Sequence, residues 1–373
     1  MAKIGVITFS NSTDNYGQIL QFLAIQEYLK NRGHEVFLLR YQNKTPSLFR
    51  RFVSALFQVL TKSKQPQKVV IKGDELTDLY AQWTKCTERN NVLHPRYFEE
   101  FRNNKFVIKN IVGFDDPQIT ELDSYAIGSD QIWSYVSKWN FLGFVPNDKV
   151  KFSIAPSTGN KSFTPEQISE ATVLLSSFSF VTCREESGID FCKRAGYEGA
   201  IKLLDPTFLV DKTIYEKFAS KKEVADRPYI FVYLLGAICE LDINDIDKFA
   251  NENNLEVKYV ASQGREDEHE KIWATIPDWL ALLRDSKYVI TNSFHGMALS
   301  IIFQKQFLVL PVIGITKFMN ERIESLAASF SLQNRIYSNN LDEVLLPIDY
   351  TCANDVIASN IEILDGNLSK INY

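Results

Sequence analysis

The sequence predicts an α/β protein built from two doubly wound, Rossmann-like domains that face each other across a cleft. Short apolar runs alternate along the chain with segments whose apolar residues recur at helical spacing, which is the pattern of parallel β-α-β units. The chain has 373 residues. That is more than one hydrophobic core usually organises, so two domains are expected.

Composition and charge exclude several classes of protein. With 45% hydrophobic and 23% charged residues, the chain is an ordinary globular protein and not a disordered, collagenous or coiled-coil one. The formal charge of −5 argues against a general nucleic-acid binder, so no nucleic-acid partner is expected. The cysteines are widely spaced and no histidine is near one, which predicts free thiols, no metal site and a reducing compartment. The first residues lack the features of a signal peptide, so a cytoplasmic location is expected.

The first half of the chain opens with a β-α-β unit. The strand Lys3–Phe9 is followed by a polar turn, by an apolar helix that stops at Gly33, and by the strand Glu35–Leu39. Residues 96–109 are predicted to form a helix with Tyr97, Phe98 and Phe101 facing inward. Further strands are predicted to start at 124, 151 and 180, and further helices at 165–178 and 185–195.

The second half repeats the same alternation after a change in composition. The polar, charge-rich segment Lys212–Arg227 ends at Pro228, which marks the expected domain boundary. We therefore expect an acceptor-side domain over 1–210, a donor-side domain over 228–345, and a tail over 346–373 that crosses back to the first domain. The predicted elements of the second domain are helices at 244–253, 276–285 and 296–303 and strands at 256–261, 288–291 and 306–310.

The segment 44–72 carries seven lysines and arginines and no acidic residue. Its apolar residues recur at helical spacing. Such a basic amphipathic helix can pack its apolar stripe on the core of its own domain, and this is the ordinary interpretation. The alternative is that it binds an anionic membrane surface.

Ligands of doubly wound sheets bind beyond the carboxyl ends of the strands, so residues directly after strands are the expected site residues. His295 follows a strand and precedes an apolar helix, where unpaired backbone N–H groups attract anions. It could instead cap local backbone as a buried histidine. Arg184 ends a strand and suits a carboxylate or phosphate, or else it pairs with a neighbouring glutamate.

Two further loops hold polar residues at strand ends. Asp130 and Gln131 carry the donors and acceptors that a sugar hydroxyl needs, although both could instead cap their own loop. Asp205, in the sequence Asp-Pro-Thr, is interpreted as shaping the connection between the domains.

Six motifs occur in order along the chain: N-Y-G-Q (15–18), I-G-S-D-Q-I-W (127–133), S-x-A-x-S-x-G (153–159), C-R-E-E-S-G (183–188), L-D-P-T-F-L (204–209) and T-N-S-F-H-G (291–296). With these motifs, residues 1–335 resemble the polysaccharide pyruvyl transferase family. The resemblance implies a GT-B-like fold and transfer of pyruvate from phosphoenolpyruvate to two hydroxyls of a sugar. The product would be a ketal on a bacterial surface polysaccharide or its polyprenyl-linked precursor. No cofactor is implied, and the enzyme would work in the cytoplasm, at the inner membrane face if 44–72 docks there.

The resemblance also implies roles for single residues. His295 would be the acid or the phosphate partner, and Asp130 or Glu185 the base. The donor would contact Arg184, Asn292, Ser293, His295 and Gly296. A branch of the family has arginine where this chain has Ser293, and the missing cation would come from Arg322 or Lys305. The acceptor side would comprise Asn15, Tyr16, Gly17, Ser129, Asp130, Gln131 and Ser157.

Two other functions fit the same pattern. A GT-B glycosyltransferase that uses a nucleotide sugar would share the fold and an anion-binding second domain. A non-catalytic member would bind a glycan or a lipid-linked intermediate and recruit partners through 44–72. Binding of a nucleotide sugar, but not of phosphoenolpyruvate, would select the first, and sugar-lipid binding without phosphate release would select the second.

Overall fold

The computed structural model describes residues 1–42, 75–159, 162–221, 227–236 and 238–371. The basic segment 44–72 lies outside the described residues, so its docking to a membrane stays a prediction. Within the described residues, no helix combines the length and apolar character needed to cross a bilayer.

The first sheet is fully parallel and has the strand order β3-β2-β1-β4-β5. From β1 the chain adds β2 and β3 on one side, and it then adds β4 and β5 on the other side. The direction of winding therefore reverses between β1 and β4. A short parallel pair, β6-β7, lies beside β5 through a bridge between Phe152 and Phe180. The strands are β1 (Lys3–Ile7), β2 (Glu35–Gln42), β3 (Ile108–Val112), β4 (Ser124–Ile127), β5 (Val150–Ser153), β6 (Thr182–Cys183) and β7 (Ile201–Lys202).

The second sheet is also parallel, with the order β11-β10-β8-β9. Successive side chains of β8 alternate between two apolar clusters: Phe231 packs on one face and Ile230 on the other. Both faces are therefore covered, as parallel sheets require. The two sheets confirm the predicted α/β class with two doubly wound domains. The strands are β8 (Tyr229–Tyr233), β9 (Glu256–Tyr259), β10 (Tyr288–Thr291) and β11 (Gln306–Val309).

The described residues include eleven α-helices, which cover the sheets and connect the strands. They are α1 (Tyr16–Lys30), α2 (Glu75–Leu93), α3 (Phe98–Lys105), α4 (Pro165–Leu175), α5 (Glu186–Arg194), α6 (Lys212–Phe218), α7 (Ile243–Glu252), α8 (Ile276–Asp285), α9 (Phe294–Ile302), α10 (Asn320–Ser329) and α11 (Ala353–Leu368).

The predicted helix over 96–109 is wrong in its bounds. Helix α3 ends at Lys105, and strand β3 begins at Ile108, where its backbone pairs with Leu38 of β2. Ladder hydrogen bonds to β2 and the β-branched Val107 and Ile108 favour the strand over a helical continuation. Tyr97, predicted to face inward, is 57% exposed.

The two domains share one apolar core. Tyr16 of α1 is fully buried, stacks on Trp279 of α8 at 5.2 Å between ring centroids, and donates its hydroxyl to the Ala274 carbonyl at 2.7 Å. Helix α11, after the second domain, lies against α1, where Asp365 accepts hydrogen bonds from Tyr28 and Arg32. The halves are therefore packed together away from the strand ends.

Candidate active site

Four buried side chains from both halves of the chain meet where the two sheets face each other. Arg184 directly follows β6, and Asp205 follows β7 and caps a short 3-10 helix. His295 is the second residue of α9, after β10, and Arg322 lies in the first turn of α10. The first domain therefore supplies one cation and one carboxylate, and the second supplies an imidazole and another cation.

Asp205 is the central anion of this group, and its side chain is fully buried. One carboxylate oxygen, Oδ2, accepts from Arg184 Nη1 at 2.8 Å and from Ser129 Oγ at 3.1 Å, with His295 Nε2 at 3.8 Å. The other oxygen accepts from the backbone N–H and hydroxyl of Thr207. Burial alone would raise the pKa of Asp205, but His295, Arg184 and Thr207 outweigh it and lower the pKa.

Sequence reasoning missed this role of Asp205 and assigned the residue to the interdomain connection. The one signal that could have found it is its position at the carboxyl end of β7, which places it at the same edge as Arg184 and His295.

The Arg184 guanidinium is bonded to carboxylates through two of its nitrogens, and its third nitrogen has no partner among the described residues. Burial disfavours its charge, but the charges of Glu185, Asp205 and Asp130 outweigh burial and raise the pKa of Arg184 further. Its guanidinium also lies over the Phe294 ring, 4.5 Å from the centroid. Its Nη2 is buried and has no hydrogen-bond partner among the described residues, and such a donor is costly unless a ligand accepts from it.

Arg322 supplies the second cation of the cavity. Burial and the nearby charge of Arg184 lower the pKa of Arg322, yet a guanidinium stays charged at pH 7. Its Nη1 lies 4.0 Å from Asp130 Oδ1, and its Nε is buried with no partner in the described part of the chain. Of the two cations predicted to replace the missing arginine, Arg322 is therefore in place. Lys305 is not, because its ammonium donates to the Ser286 carbonyl at 2.6 Å.

His295 lies against the first helix of the other domain. A β-carbon at Gly17 would overlap the His295 imidazole, so only glycine lets the ring approach here. Burial lowers the pKa of His295, while Asp205 and Asp130 act in the opposite direction. The imidazole is therefore mainly neutral at pH 7. Its Nε2 is the third buried nitrogen of the group without a hydrogen-bond partner in the residues described.

A small cavity of about 10 Å³, room for about one water molecule, lies between Arg184 and Arg322. Glu185, Asp205, Phe294 and Ser325 also line it. His295 lies beside this lining, with Nε2 3.8 Å from Asp205 Oδ2. The cationic lining, and not the volume, therefore indicates a small anion. Among the residues described, no group of three or more metal-ligating side chains is placed to hold a metal ion.

The carboxylates of the site outnumber the guanidiniums. Asp130, Glu185 and Asp205 give three carboxylates against the two guanidiniums of Arg184 and Arg322; four of these residues are buried, and the Arg322 side chain is 12% exposed. With His295 neutral, this group has one excess negative charge. Because that charge opposes an incoming anion, uptake of a proton together with the anion would help it to bind, and the unpaired imidazole is the group best placed to take that proton.

The predicted acceptor residues of the N-Y-G-Q motif have other roles. The prediction that Tyr16 contacts the acceptor is wrong, because its ring lies in the shared core and cannot reach a ligand. Asn15 caps α1 by accepting from the Gln18 N–H at 3.3 Å. Gly17 is at the site, where it makes room for His295.

Three of the predicted donor contacts build the loop that presents His295. Asn292 bonds both backbone groups of Leu235, accepting at 2.6 Å and donating at 3.2 Å. Ser293 is the N-cap of α9 and accepts from the Gly296 N–H at 3.3 Å. A β-carbon at Gly296 would lie 2.5 Å from Thr291 Oγ1. Asn292 and Ser293 therefore support the loop, Gly296 leaves room for Thr291, and the contact of these residues with a donor stays a prediction. The cap makes α9 begin at Phe294 instead of the predicted Gly296.

The loops after β4 and β5 are bonded to each other beside the cavity. The Ser157 N–H donates to the Asp130 carbonyl at 2.8 Å, and the Ser157 hydroxyl donates to Glu185. Asp130 is 6% exposed and has φ of 54°, in the left-handed region. The Gln131 side chain lies against Gly159. Asp130 has a carboxylate oxygen 4.0 Å from Arg322 Nη1.

Comparison with known proteins gives one family. The model of the family described as polysaccharide pyruvyl transferase matches residues 15–312. No functionally curated protein shows significant sequence similarity to the chain.

Solved structures with a similar chain path include UDP-GlcNAc 2-epimerases and a glycosyltransferase. A UDP-GlcNAc 2-epimerase from Neisseria meningitidis is 12% identical over 100% of both chains, with a TM-score of 0.44. A UDP-GlcNAc 2-epimerase from Methanocaldococcus jannaschii is 10% identical over 96% of this chain and 92% of its own, with a TM-score of 0.41. The SsfS6 glycosyltransferase of Streptomyces sp. SF2575 is 14% identical over 100% and 97%, with a TM-score of 0.35. Similarity at this level says nothing about substrate.

Proposed function

The chain belongs to the polysaccharide pyruvyl transferase family, and from that premise we propose that it transfers pyruvate from phosphoenolpyruvate to two hydroxyls of a saccharide. The observation that supports this most directly is the group of three buried nitrogens, on Arg184, Arg322 and His295, that have no hydrogen-bond partner among the described residues. Arg184 and Arg322 line the small cavity. Phosphoenolpyruvate is a small molecule with a carboxylate and a phosphate. Two guanidiniums that can each bind two oxygens match those groups.

The proposed reaction needs groups that bind the donor, an acid and a base, and the residues at the site include all of them. Protonation of the methylene carbon makes C2 electrophilic, one sugar hydroxyl adds to C2, phosphate leaves, and a second hydroxyl closes the ketal. Overall, one hydroxyl proton ends on the new methyl group and the other on phosphate. Arg184 and Arg322 would bind the donor and stabilise the departing phosphate.

Acid and base are assigned from the geometry. His295 would acquire a proton as the donor binds and would then deliver it to the methylene carbon or to the leaving phosphate. Of the two predicted bases, Asp130 is favoured over Glu185, because Glu185 is already bonded to the Ser157 hydroxyl and lies 3.4 Å from Arg184 Nε. Asp130 also lies in the loop after β4 of the first domain, which is the proposed acceptor side.

The family match favours phosphoenolpyruvate over the alternative donor, a nucleotide sugar. The acceptor is proposed to be a bacterial surface glycan or its polyprenyl-linked precursor.

Titration calorimetry with phosphoenolpyruvate tests the proposal. The wild-type protein is expected to bind it, and Arg322→Gln is expected to weaken binding by at least tenfold, because one buried cation is lost. Arg322 makes no close ion pair within the described site, so this variant should fold; Arg184→Gln is the second variant. Arg32→Gln, on the surface beside Asp365, is the matched control. Binding of a UDP-sugar, but not of phosphoenolpyruvate, would contradict the proposal.

A further inference from the structure

A second and larger pocket opens at the carboxyl ends of β1 and β2 in the first domain. It encloses about 430 Å³, within the range of small-molecule sites. Arg40, Tyr41, Tyr135, Trp139 and Asn140 line it, and we call it the aromatic pocket. None of these residues belongs to the cavity between the arginines.

The aromatic rings of the pocket are held rigidly and partly exposed. Trp139 stacks on Phe144 at 4.9 Å between centroids and packs against Tyr41 at 5.2 Å. Tyr41 is 39% exposed and Tyr135 is 49% exposed. Exposed, immobilised aromatic faces bind weakly polar C–H surfaces, such as one face of a pyranose ring, at low entropic cost.

Two buried polar atoms of the pocket lack partners. Asn140 is 1% exposed, and its Oδ1 accepts no hydrogen bond in the part of the chain that the structure describes. Arg40 Nε is likewise buried and unpaired there. One free acceptor and one free donor beside aromatic rings are what hydroxyl groups of a ligand would satisfy.

The described lining of the pocket offers an anion no free cation. Arg40 is the only charged side chain among its described lining residues, and both of its terminal nitrogens bond Glu99, at 2.9 and 3.3 Å. A nucleotide would bring phosphates that find no free cation among these described residues. An uncharged, hydroxyl-rich ligand fits better than a nucleotide or an acidic sugar.

The two pockets are neighbours. The loop after β4 borders both, with Asp130 beside Arg322 and Ile132 in the wall of the aromatic pocket. Gln18 also lines the aromatic pocket and directly follows Gly17, which lies against His295. A ligand in the aromatic pocket is therefore separated from Asp130 by two positions of this loop.

We propose that the aromatic pocket binds an uncharged sugar ring of the acceptor glycan, with Trp139 and Tyr41 against its C–H face and its hydroxyls on Asn140 Oδ1 and Arg40 Nε. The inference rests on the proposed function and specifies its acceptor side. The loop that carries Asp130 would then border both the bound sugar and the donor.

Saturation-transfer NMR with the intact protein tests this proposal. The probes are methyl glycosides of glucose, galactose, mannose and N-acetylglucosamine, with glucuronate and UDP as charged comparisons. At least one neutral glycoside is expected to bind, and Trp139→Leu and Asn140→Leu are each expected to lower its affinity by about tenfold. Trp273→Leu, which changes a half-buried tryptophan stacked on His94 in the second domain, should bind as wild type.

Several outcomes would overturn the inference: no neutral glycoside binds, Trp139→Leu and Asn140→Leu bind as tightly as wild type, or UDP or glucuronate compete equally well. The donor proposal fails separately. Arg322→Gln is expected to keep glycoside binding. If the wild-type protein binds a glycoside through Trp139 but does not bind phosphoenolpyruvate, the proposed donor is wrong and the proposed sugar site stands. Phosphoenolpyruvate binding without glycoside binding would do the reverse.

Discussion

At the scale of single residues, the site depends on contacts between side chains that are far apart in sequence. Arg184 and His295 could be selected from the sequence because each follows a strand. Asp205, which lies within reach of both, also follows a strand, but the Asp-Pro pair is equally typical of a turn and is interpreted as one from the sequence. The role of Gly17 was hidden for a similar reason: a glycine in a helix carries no sign of the ring that packs on it.

Gly17→Ala tests the contact between the first helix and His295. The new methyl group would displace the imidazole, so turnover of phosphoenolpyruvate should fall by about 10²-fold or more, in the range of a positioned acid or base. Phosphate release in the presence of acceptor measures it. Gly366→Ala, in α11 with open space around it, is the matched control and should keep full activity while gaining roughly 0.5–1 kcal/mol of stability. Equal activity of the two variants would refute the contact.

Donor binding should take up a proton at His295. Burial and the charges of Arg184 and Arg322 lower the pKa of the free imidazole. Asp205 and Asp130 act to raise this pKa, but they do not outweigh burial. A bound dianion stabilises the imidazolium and raises that pKa, so affinity should increase as pH falls from 8 toward 6. Calorimetry in buffers of different ionisation enthalpy would count the protons. His295→Gln should lose this uptake, and identical uptake in both proteins would assign it to the ligand.

At the scale of elements, most of the strands and helices follow from periodicity, whereas the order of the strands in each sheet depends on pairing that periodicity does not show. The bounds of α8 and β10 agree with the prediction to the residue. The start of α9 does not, because a serine at 293 serves equally as a ligand or as an N-cap. Only the hydrogen bond to the Gly296 N–H decides between these two roles. The same holds for α3, where pairing with β2 ends the helix earlier than its composition suggests.

Ser293→Ala separates capping from donor binding. Loss of the cap should lower the free energy of unfolding by about 1 kcal/mol, while the affinity for phosphoenolpyruvate changes less than threefold. Urea denaturation and calorimetry give the two quantities. Ser293→Thr keeps a capping hydroxyl and should resemble the wild type in both. A tenfold loss of affinity in Ser293→Ala at unchanged stability would restore Ser293 as a donor ligand.

At the scale of the whole molecule, the two domains were expected to face each other across a cleft. They do so at the strand ends, but behind the site they share one continuous core. The sequence could not show this, because the stripe of α1 that covers its own sheet and the part that packs on Trp279 are equally apolar. Tyr16 illustrates the difficulty, since a tyrosine after a strand reads as a ligand when it is in fact a core residue.

The shared core predicts a single unfolding transition. Apolar residues of α1 and of the second sheet belong to the same cluster, so neither half should be stable once the other has unfolded. Scanning calorimetry should give one peak whose calorimetric and van't Hoff enthalpies agree. Tyr16→Phe, which removes only the hydroxyl bonded to Ala274, should lower stability by about 1 kcal/mol. Two resolved peaks would show that the domains unfold independently.

Because the site is divided between the two halves of the chain, activity requires both halves to be present. Arg184 and Asp205 are synthesised long before His295 and Arg322. A growing chain on the ribosome, or a fragment left by proteolysis, therefore holds at most half of the donor cavity. Such a fragment should not consume phosphoenolpyruvate, and two fragments cut between the domains should regain activity only when mixed.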